Sequence, residues 1–399
     1  ARPLIDAGRR AVLEQFPDSL PWRETGTPMR TPAAAPARFT GLRIEVNDTA
    51  LAPIVEHTFD ALRDAPYDAD AVLAAADRLY ATGFFTGVWP RVDADGALVV
   101  RADAGPPLLA SFSLGYDDDR GPRLLAGLRA RAGGTEYALA GRLGALRTWA
   151  DLSARHPLRA LPTLATTAGL AIHDADIRQF DGERVLGETG VRRAGGWAGL
   201  VWTGADDRAE VVAALRGDRI DADFGTEGTA WGVSLRVAGR EPNARVVGTP
   251  LVIEAERRWG DVEWSAVRAR GALGWSAGRL RTAILADLAA VGDAAPLDER
   301  PDLGQPGGMP GRRAGSGLAP VRAIAGLDVA YPIPFEGHAR LRLRTGAAVA
   351  EIADLETSRW QPGLGLDVLW WTPWGRLDLG VGATRHAGWR VTIDVGPRF

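Results

Sequence analysis

Arginine recurs on one side of otherwise apolar strands along much of this chain, and that pattern narrows what the chain can fold into. Leu341, Leu343 and Thr345 alternate with Arg340, Arg342 and Arg344, and Leu280, Thr282, Ile284, Ala286 and Leu288 alternate with Arg279, Arg281 and Asp287. Leu364, Leu366, Val368 and Trp370 oppose Gly365 and Asp367; Leu377, Leu379 and Val381 oppose Arg376, Asp378 and Gly380. Period two is the period of a β-strand, so each stretch has one apolar and one polar face. A soluble sandwich turns one face of every strand into a dry core, where a row of arginines has no place. A closed barrel with a wet lumen reverses the arrangement, with the polar side in and the apolar side toward lipid. From Leu108 onward no stretch reads as a helix, and the amphipathic segments number about sixteen, with boundaries least sharp between residues 132 and 245.

Composition is neutral between a soluble protein and such a barrel. Mean hydropathy is -0.09 and net charge is -3, values a barrel also shows because lumen-facing polar groups offset lipid-facing ones. No apolar run approaches the eighteen or so residues of a membrane helix, so entry into a bilayer requires a closed barrel. Twelve of the 14 tryptophans follow Leu108, many near strand ends (Trp149, Trp197, Trp259, Trp370, Trp371, Trp374, Trp389), which fits an interfacial girdle. There is no cysteine, which removes disulfides and thiolate chemistry, and all 47 basic residues are arginine, as codon bias in a GC-rich genome would produce. Residues 1–30 carry no signal-peptide pattern, so an exported chain is either mature or cut from a longer one.

Before the barrel segments the text changes. Residues 1–26 include a short helix with Pro3 at its first position, which cannot bury its apolar face alone and reads as the remnant of an upstream domain. Residues 27–37, with three prolines among small residues, form a semi-rigid linker. Residues 38–104 read strand (Arg38 to Val46), helix (Leu51 to Arg63), helix, strand (Phe85 to Val92), strand (Ala97 to Ala102). The second helix is capped by Asp68, stops at Gly83 and buries Val72, Leu73, Ala76, Leu79 and Tyr80; Asp95-Gly96 turns the last two strands. Near the other end of the sequence, Trp389, Val391, Ile393, Val395 and Phe399 share one face of an extended stretch. Its pairing with the first barrel strand, near Leu109 to Tyr116, would close the barrel.

The β-α-α-β-β order of residues 38–104, with LYATGFFTGVWPRV across its second helix and second strand, resembles a polypeptide-transport-associated (POTRA) domain. A POTRA domain, about sixteen strands, a long Gly-rich segment (Gly292 to Pro320) before the last five of them and a terminal Phe together resemble the BamA/TamA superfamily of outer-membrane assembly factors and transporters. The resemblance implies an α+β POTRA domain followed by an all-β transmembrane antiparallel barrel over residues 105–399, in the bacterial outer membrane with the POTRA domain in the periplasm. It further implies as partners the lipid bilayer, the barrel-assembly machinery that reads the terminal strand, and a passenger polypeptide at the POTRA domain. In that superfamily the sixth extracellular loop carries V-R-G-F/Y, whose Arg meets an Asp of a D-x-G motif on the thirteenth strand. Here the matching texts are Met309-Pro310-Gly311-Arg312 and Arg344-Thr345-Gly346, so both members of the ion pair are replaced; Arg312 or Arg313 is left to meet Asp328 on the twelfth strand. Within the superfamily, one POTRA joined by a Pro-rich linker to LIDAGRRAV is similar to the C-terminal part of patatin-like phospholipase autotransporters of type V secretion.

Two texts suggest chemistry. Gly274-Trp275-Ser276-Ala277-Gly278 matches the G-x-S-x-G elbow of serine hydrolases, which needs a strand-to-helix turn; amphipathic strands on both sides place Ser276 in a β-turn instead. His173-Asp174-Ala175-Asp176 looks like a metal cluster, but ligands so close in an extended loop do not converge, and an acidic loop patch is the plainer reading. No catalytic residue, metal, cofactor or nucleic-acid partner is therefore expected. The alternatives left open are a membrane anchor or transporter for a passenger, the membrane half of a lipolytic enzyme, a general assembly factor, and a soluble all-β binding protein.

Overall fold

The computed structural model describes residues 38–399 apart from residue 83 and segments 118–120, 159–160, 182–183, 205–208, 224–226, 240–250, 305–307, 335–336, 373–374, 386–387 and 397–399. The expected helix in 1–26, the linker 27–37, the helix stop at Gly83, Trp374 and Phe399 lie outside the described residues.

Residues 38–104 form a small α+β unit. Strand β1 (Leu42–Val46) runs parallel to β3 (Leu98–Ala104), which pairs antiparallel with β2 (Phe85–Val92), giving the sheet order β1-β3-β2. Helices α1 (Ala52–Phe59) and α2 (Ala69–Ala81) cover one face. Asp68 accepts hydrogen bonds from the amides of Asp70 and Ala71, the N-cap its position implies. Phe39, Leu51, Ile54, Val55, Phe59, Leu79 and Val100 make the core. On α2 the buried stripe is Val72, Ala75, Ala76 and Leu79, the i, i+3, i+4, i+7 set, so Ala75 replaces the expected Leu73 and Tyr80. Those two sit a helical step away and are exposed, although the Tyr80 hydroxyl accepts the Val88 amide at 2.8 Å.

Sixteen antiparallel strands then close into a barrel in sequence order, β19 returning to β4. They are β4 (Leu108–Asp117), β5 (Gly121–Ala132), β6 (Thr135–Gly144), β7 (Arg147–Leu158), β8 (Leu161–Asp181), β9 (Arg184–Thr203), β10 (Ala209–Ala222), β11 (Gly228–Gly239), β12 (Val252–Gly260), β13 (Trp264–Ala277), β14 (Leu280–Val291), β15 (Val321–Ile333), β16 (Gly337–Val349), β17 (Gln361–Thr372), β18 (Gly375–Thr384) and β19 (Gly388–Gly396). Closure pairs the two edges that an open sheet would leave bare, β19 with β4, over four positions among the described residues. Alternation sorts the faces as the sequence implies: Leu341, Leu343, Leu364 and Leu366 are exposed on the outside, and Asp328, Arg344, Asp367 and Asp378 are buried inside. Tryptophan divides between the two faces. Trp231 and Trp259 stack outside at 5.1 Å, and Trp389 is exposed there, whereas Trp264 is buried in the lumen and Trp197 packs over inward Gly169. Trp197, expected in a girdle, therefore faces the other way, because its strand position is one residue out of phase with exposed Leu200 and Trp202.

The α+β unit sits at one end of the barrel, here called proximal. Arg131 of β5 joins them, donating to the Phe84 carbonyl at 3.1 Å and the Gly105 carbonyl at 2.7 Å and pairing with Asp48 at 3.3 Å. The segment between β14 and β15 belongs to the opposite, distal end.

Candidate functional site: the lumen loop and the barrel seam

The described residues of the segment 292–320 do not project outward; they fold into the distal lumen and are anchored twice. The first anchor is the single helical turn Leu297–Glu299. Glu299 is gripped by Arg193 of β9 and Arg268 of β13, and Asp298 by Arg193 at 3.2 Å and His173 of β8 at 3.4 Å. Burial alone would raise the pKa of the Glu299 carboxyl, but the two guanidiniums override it and hold the group below the ordinary carboxylate range. Behind this peg, Arg193 and Arg258 share Asp218 at 3.3 and 3.0 Å, Trp264 donates its indole N–H to Glu256 at 3.1 Å, and both guanidiniums lie over the Trp264 ring at 5.9 and 5.5 Å. Arg258 is fully buried, and only this acidic, aromatic setting makes that tolerable.

The second anchor is the tip Met309-Pro310-Gly311, which lies against a wall of glycines. A Cβ at Gly346 would stand 3.1 Å from Met309 Sδ, at Gly363 3.1 Å from the Pro310 carbonyl oxygen, and at Gly365 3.0 Å from Pro310 Cβ. Gly311 has φ +76 and lies so near β18 that its own Cβ would be 2.5 Å from Ala383 Cα. Farther along, Ser316 bridges Phe180 of β8, and Arg313 stacks on the Phe180 ring at 5.1 Å.

The loop therefore enters the lumen, but the ionic partner expected for it is different. Asp328 does not meet Arg312 or Arg313: it is held by Arg344 of β16 at 2.9 Å. Arg344, where the sequence resemblance implied an aspartate, binds the neighbouring strand instead of the loop. Arg340 and Arg342 share Asp367 of β17 at 2.7 and 2.6 Å. Burial lowers the Arg312 pKa, and its Nε has no hydrogen-bond partner among the described residues. The charge polarity of the loop attachment is thus reversed, with carboxylates on the loop and arginines on the wall. Nothing in the spacing of Asp298 and Glu299 signals this; a proline on each side (Pro296, Pro301) marks only a turn.

The texts that suggested chemistry are both strands. His173 and Asp174 lie in β8, not in a loop, and alternation sends His173 into the lumen and Asp174 outward to Arg192 at 3.6 Å. Ser276 lies in β13 opposite Arg281 of β14, at a hairpin and not a strand-to-helix elbow. Among the described residues no group of three or more His, Asp or Glu side chains could hold a metal ion.

The seam between β19 and β4 differs from every other strand interface. Four positions are in register there, Thr392 with Asp117, Ile393 with Tyr116, Asp394 with Gly115 and Val395 with Leu114. The other fifteen interfaces register between seven and eighteen. Pairing thus covers only the distal part of the expected Leu109 to Tyr116 range, and from Leu108 to Ser113 the β4 edge has no registered partner among the described residues. Trp389, Val391, Ile393 and Val395 share the outer face of β19, with Trp389 69% exposed.

No family model matches the chain, and no curated protein matches it in sequence. Solved structures match in fold. BamA from Haemophilus ducreyi lacking POTRA domains 1-3 superposes with TM-score 0.68 at 14% identity, covering 90% of this chain and 84% of that one. CdiB from Acinetobacter baumannii gives 0.61 at 11% identity with 90% and 74% covered, and CdiB from Escherichia coli 0.59 at 14% with 90% and 76% covered.

Proposed function

We propose that this chain is an outer-membrane barrel of the assembly and transport type, and that a polypeptide engages it at the β19–β4 seam. The observation that carries the reading is the seam itself: four registered positions among the described residues, beside a β4 edge from Leu108 to Ser113 with no registered partner among them, whose outward residues Leu108 and Phe112 are 60% and 65% exposed. An unpaired strand edge accepts another extended segment by main-chain hydrogen bonding, and alternate side chains select it. The apolar outer belt supports a bilayer setting, since a water-soluble chain rarely exposes so continuous an apolar surface.

The finer parts of the reading rest on the resemblance. The unit at 38–104 acts as a periplasmic POTRA domain, the barrel-assembly machinery reads the terminal strand, and the passenger is a patatin-like lipase preceding Ala1. Catalysis, on this reading, belongs to that lipase and not to the chain itself.

Because the chain contains no cysteine, a Tyr116→Cys/Ile393→Cys pair staples the seam cleanly. Deleting the protein from its host should deplete at least one polypeptide from the outer membrane or cell surface. The stapled variant should restore it only when reduced. Equal rescue by the oxidised staple would eliminate the seam as the working part.

A further inference from the structure

Three residues at the seam lie in one row across three strands. Asp394 of β19 registers with Gly115 of β4, and Gly115 registers with Arg123 of β5. Arg123 nevertheless bonds Asp394, Nη2 to Oδ1 at 2.5 Å, passing over the strand between them. Strands are spaced by about 4.8 Å, so the bond spans roughly 9–10 Å of wall. The long guanidinium arm covers it only because position 115 has no side chain: a Cβ there would stand 2.6 Å from Arg123 Nε. The other fork of the same guanidinium holds Asp117 of β4 at 2.7 Å, and the Ser113 hydroxyl donates to the Val395 carbonyl at 2.8 Å. Arg123 and Asp117 side chains are 14% and 11% exposed, so solvent screens this bridge only in part.

On the other side Asp394 registers with Asp378 of β18, whose carboxylate is held by Arg376 at 2.8 Å. Arg123 does for Asp394 what Arg376 does for Asp378, so the two facing carboxylates each have a guanidinium beside them. Where backbone pairing is scarce, a side-chain bridge that crosses the interface carries a larger share of closure.

We propose that Arg123, Gly115 and Asp394 form an ionic clasp that sets how readily the seam opens. It rests on the reading that the seam is where a polypeptide engages and supplies the control of that site. Arg123 is a positioning residue: it acts through the closure of β19 on β4. Gly115 is the window through which it reaches, and the clasp opens when a segment displaces β19 or supplies its own carboxylate to Arg123.

The test is hydrogen–deuterium exchange on the full chain in lipid nanodiscs, followed at peptides covering Leu114–Asp117 and Thr392–Val395, with β10 and β11 as internal control. Asp394→Asn removes the charge and keeps the shape; Gly115→Ala keeps every charge and blocks the window. Each should raise seam exchange at least about tenfold, the ratio that about 1.4 kcal/mol of lost pairing sets, and leave β10 and β11 unchanged. Arg123→Lys, which keeps the charge but loses the two-pronged fork, should fall between them and the unaltered protein. Unchanged seam exchange in both Asp394→Asn and Gly115→Ala would overturn the clasp. The Tyr116→Cys/Ile393→Cys staple separates this from the parent reading. If the staple blocks function while the clasp variants leave exchange unchanged, the clasp alone falls; if the clasp variants loosen the seam while the staple leaves function intact, seam engagement falls and the clasp stands.

Discussion

In the α+β unit the fully buried side chains are Leu51, Val55, Phe59, Leu79 and Val100; in the barrel the buried set includes Arg258, Asp328, Arg344 and Asp367, while Leu364 and Leu366 face outward. The same alphabet is sorted in opposite directions a few residues apart. In the first region, burial removes apolar area from water and supplies the folding drive directly. In the second, strand-to-strand hydrogen bonds and lumen ion pairs organise the wall, and the apolar residues gain their stabilisation only from what lies outside it. Period two is common to both, so alternation tells which residues share a face, while the neighbouring layer tells which face is inside.

The comparison can be broken most sharply in the small unit. Phe59→Ala should cost about 3–5 kcal/mol and be felt only there: exchange over residues 42–104 should rise while the barrel amides keep their protection. Loss of protection in β10 and β11 would mean that the two regions fold as one. Next in size, Leu366→Arg on the outer wall should cost roughly 2–4 kcal/mol in lipid, read from unfolding of refolded protein. Unchanged stability of Leu366→Arg in lipid would deny that the outer face meets an apolar solvent.

A smaller effect is expected at the loop. Glu299→Gln leaves Arg193 and Arg268 without their shared carboxylate and should loosen the 292–320 segment by about 1.5–3 kcal/mol, measured as faster exchange there with the wall unchanged. Because the folded-state pKa of Glu299 is depressed, its contribution is complete above the ordinary glutamate pKa of about 4.3 and is lost as pH falls below that through the folded value. The loop should therefore stay docked from neutral pH to about pH 4, and release within that range would contradict the Arg193–Glu299–Arg268 grip. The smallest expected effect is none: Ser276→Ala should leave stability unchanged and remove no fatty-acyl esterase activity. Hydrolysis by the unaltered chain that disappears in this variant would place chemistry in the β13–β14 hairpin.

The alternation of Leu341, Leu343, Leu364 and Leu366 with Arg340, Arg342 and Asp367 was sufficient by itself to specify strands with one polar and one apolar face, and the arginines on the polar face favoured a wet-lumen barrel over a dry sandwich. Asp68 as N-cap and Asp95-Gly96 as a turn were equally local, since each acts on backbone groups within a few residues. Order along the chain marked Met309-Pro310-Gly311 as part of the long segment before the last five strands, but not that this tip is seated against the glycines of the wall. Nor could it tell which carboxylate meets which guanidinium. Arg344 turns to Asp328, Arg193 reaches Glu299 more than a hundred positions away, and Arg123 crosses Gly115 to Asp394. Those pairings depend on strand stagger and on the path of one loop through the interior. Both are settled only when the last strand closes on the first, because a charged side chain has several partners within reach of its residue type and only the closed wall brings one of them within hydrogen-bonding distance.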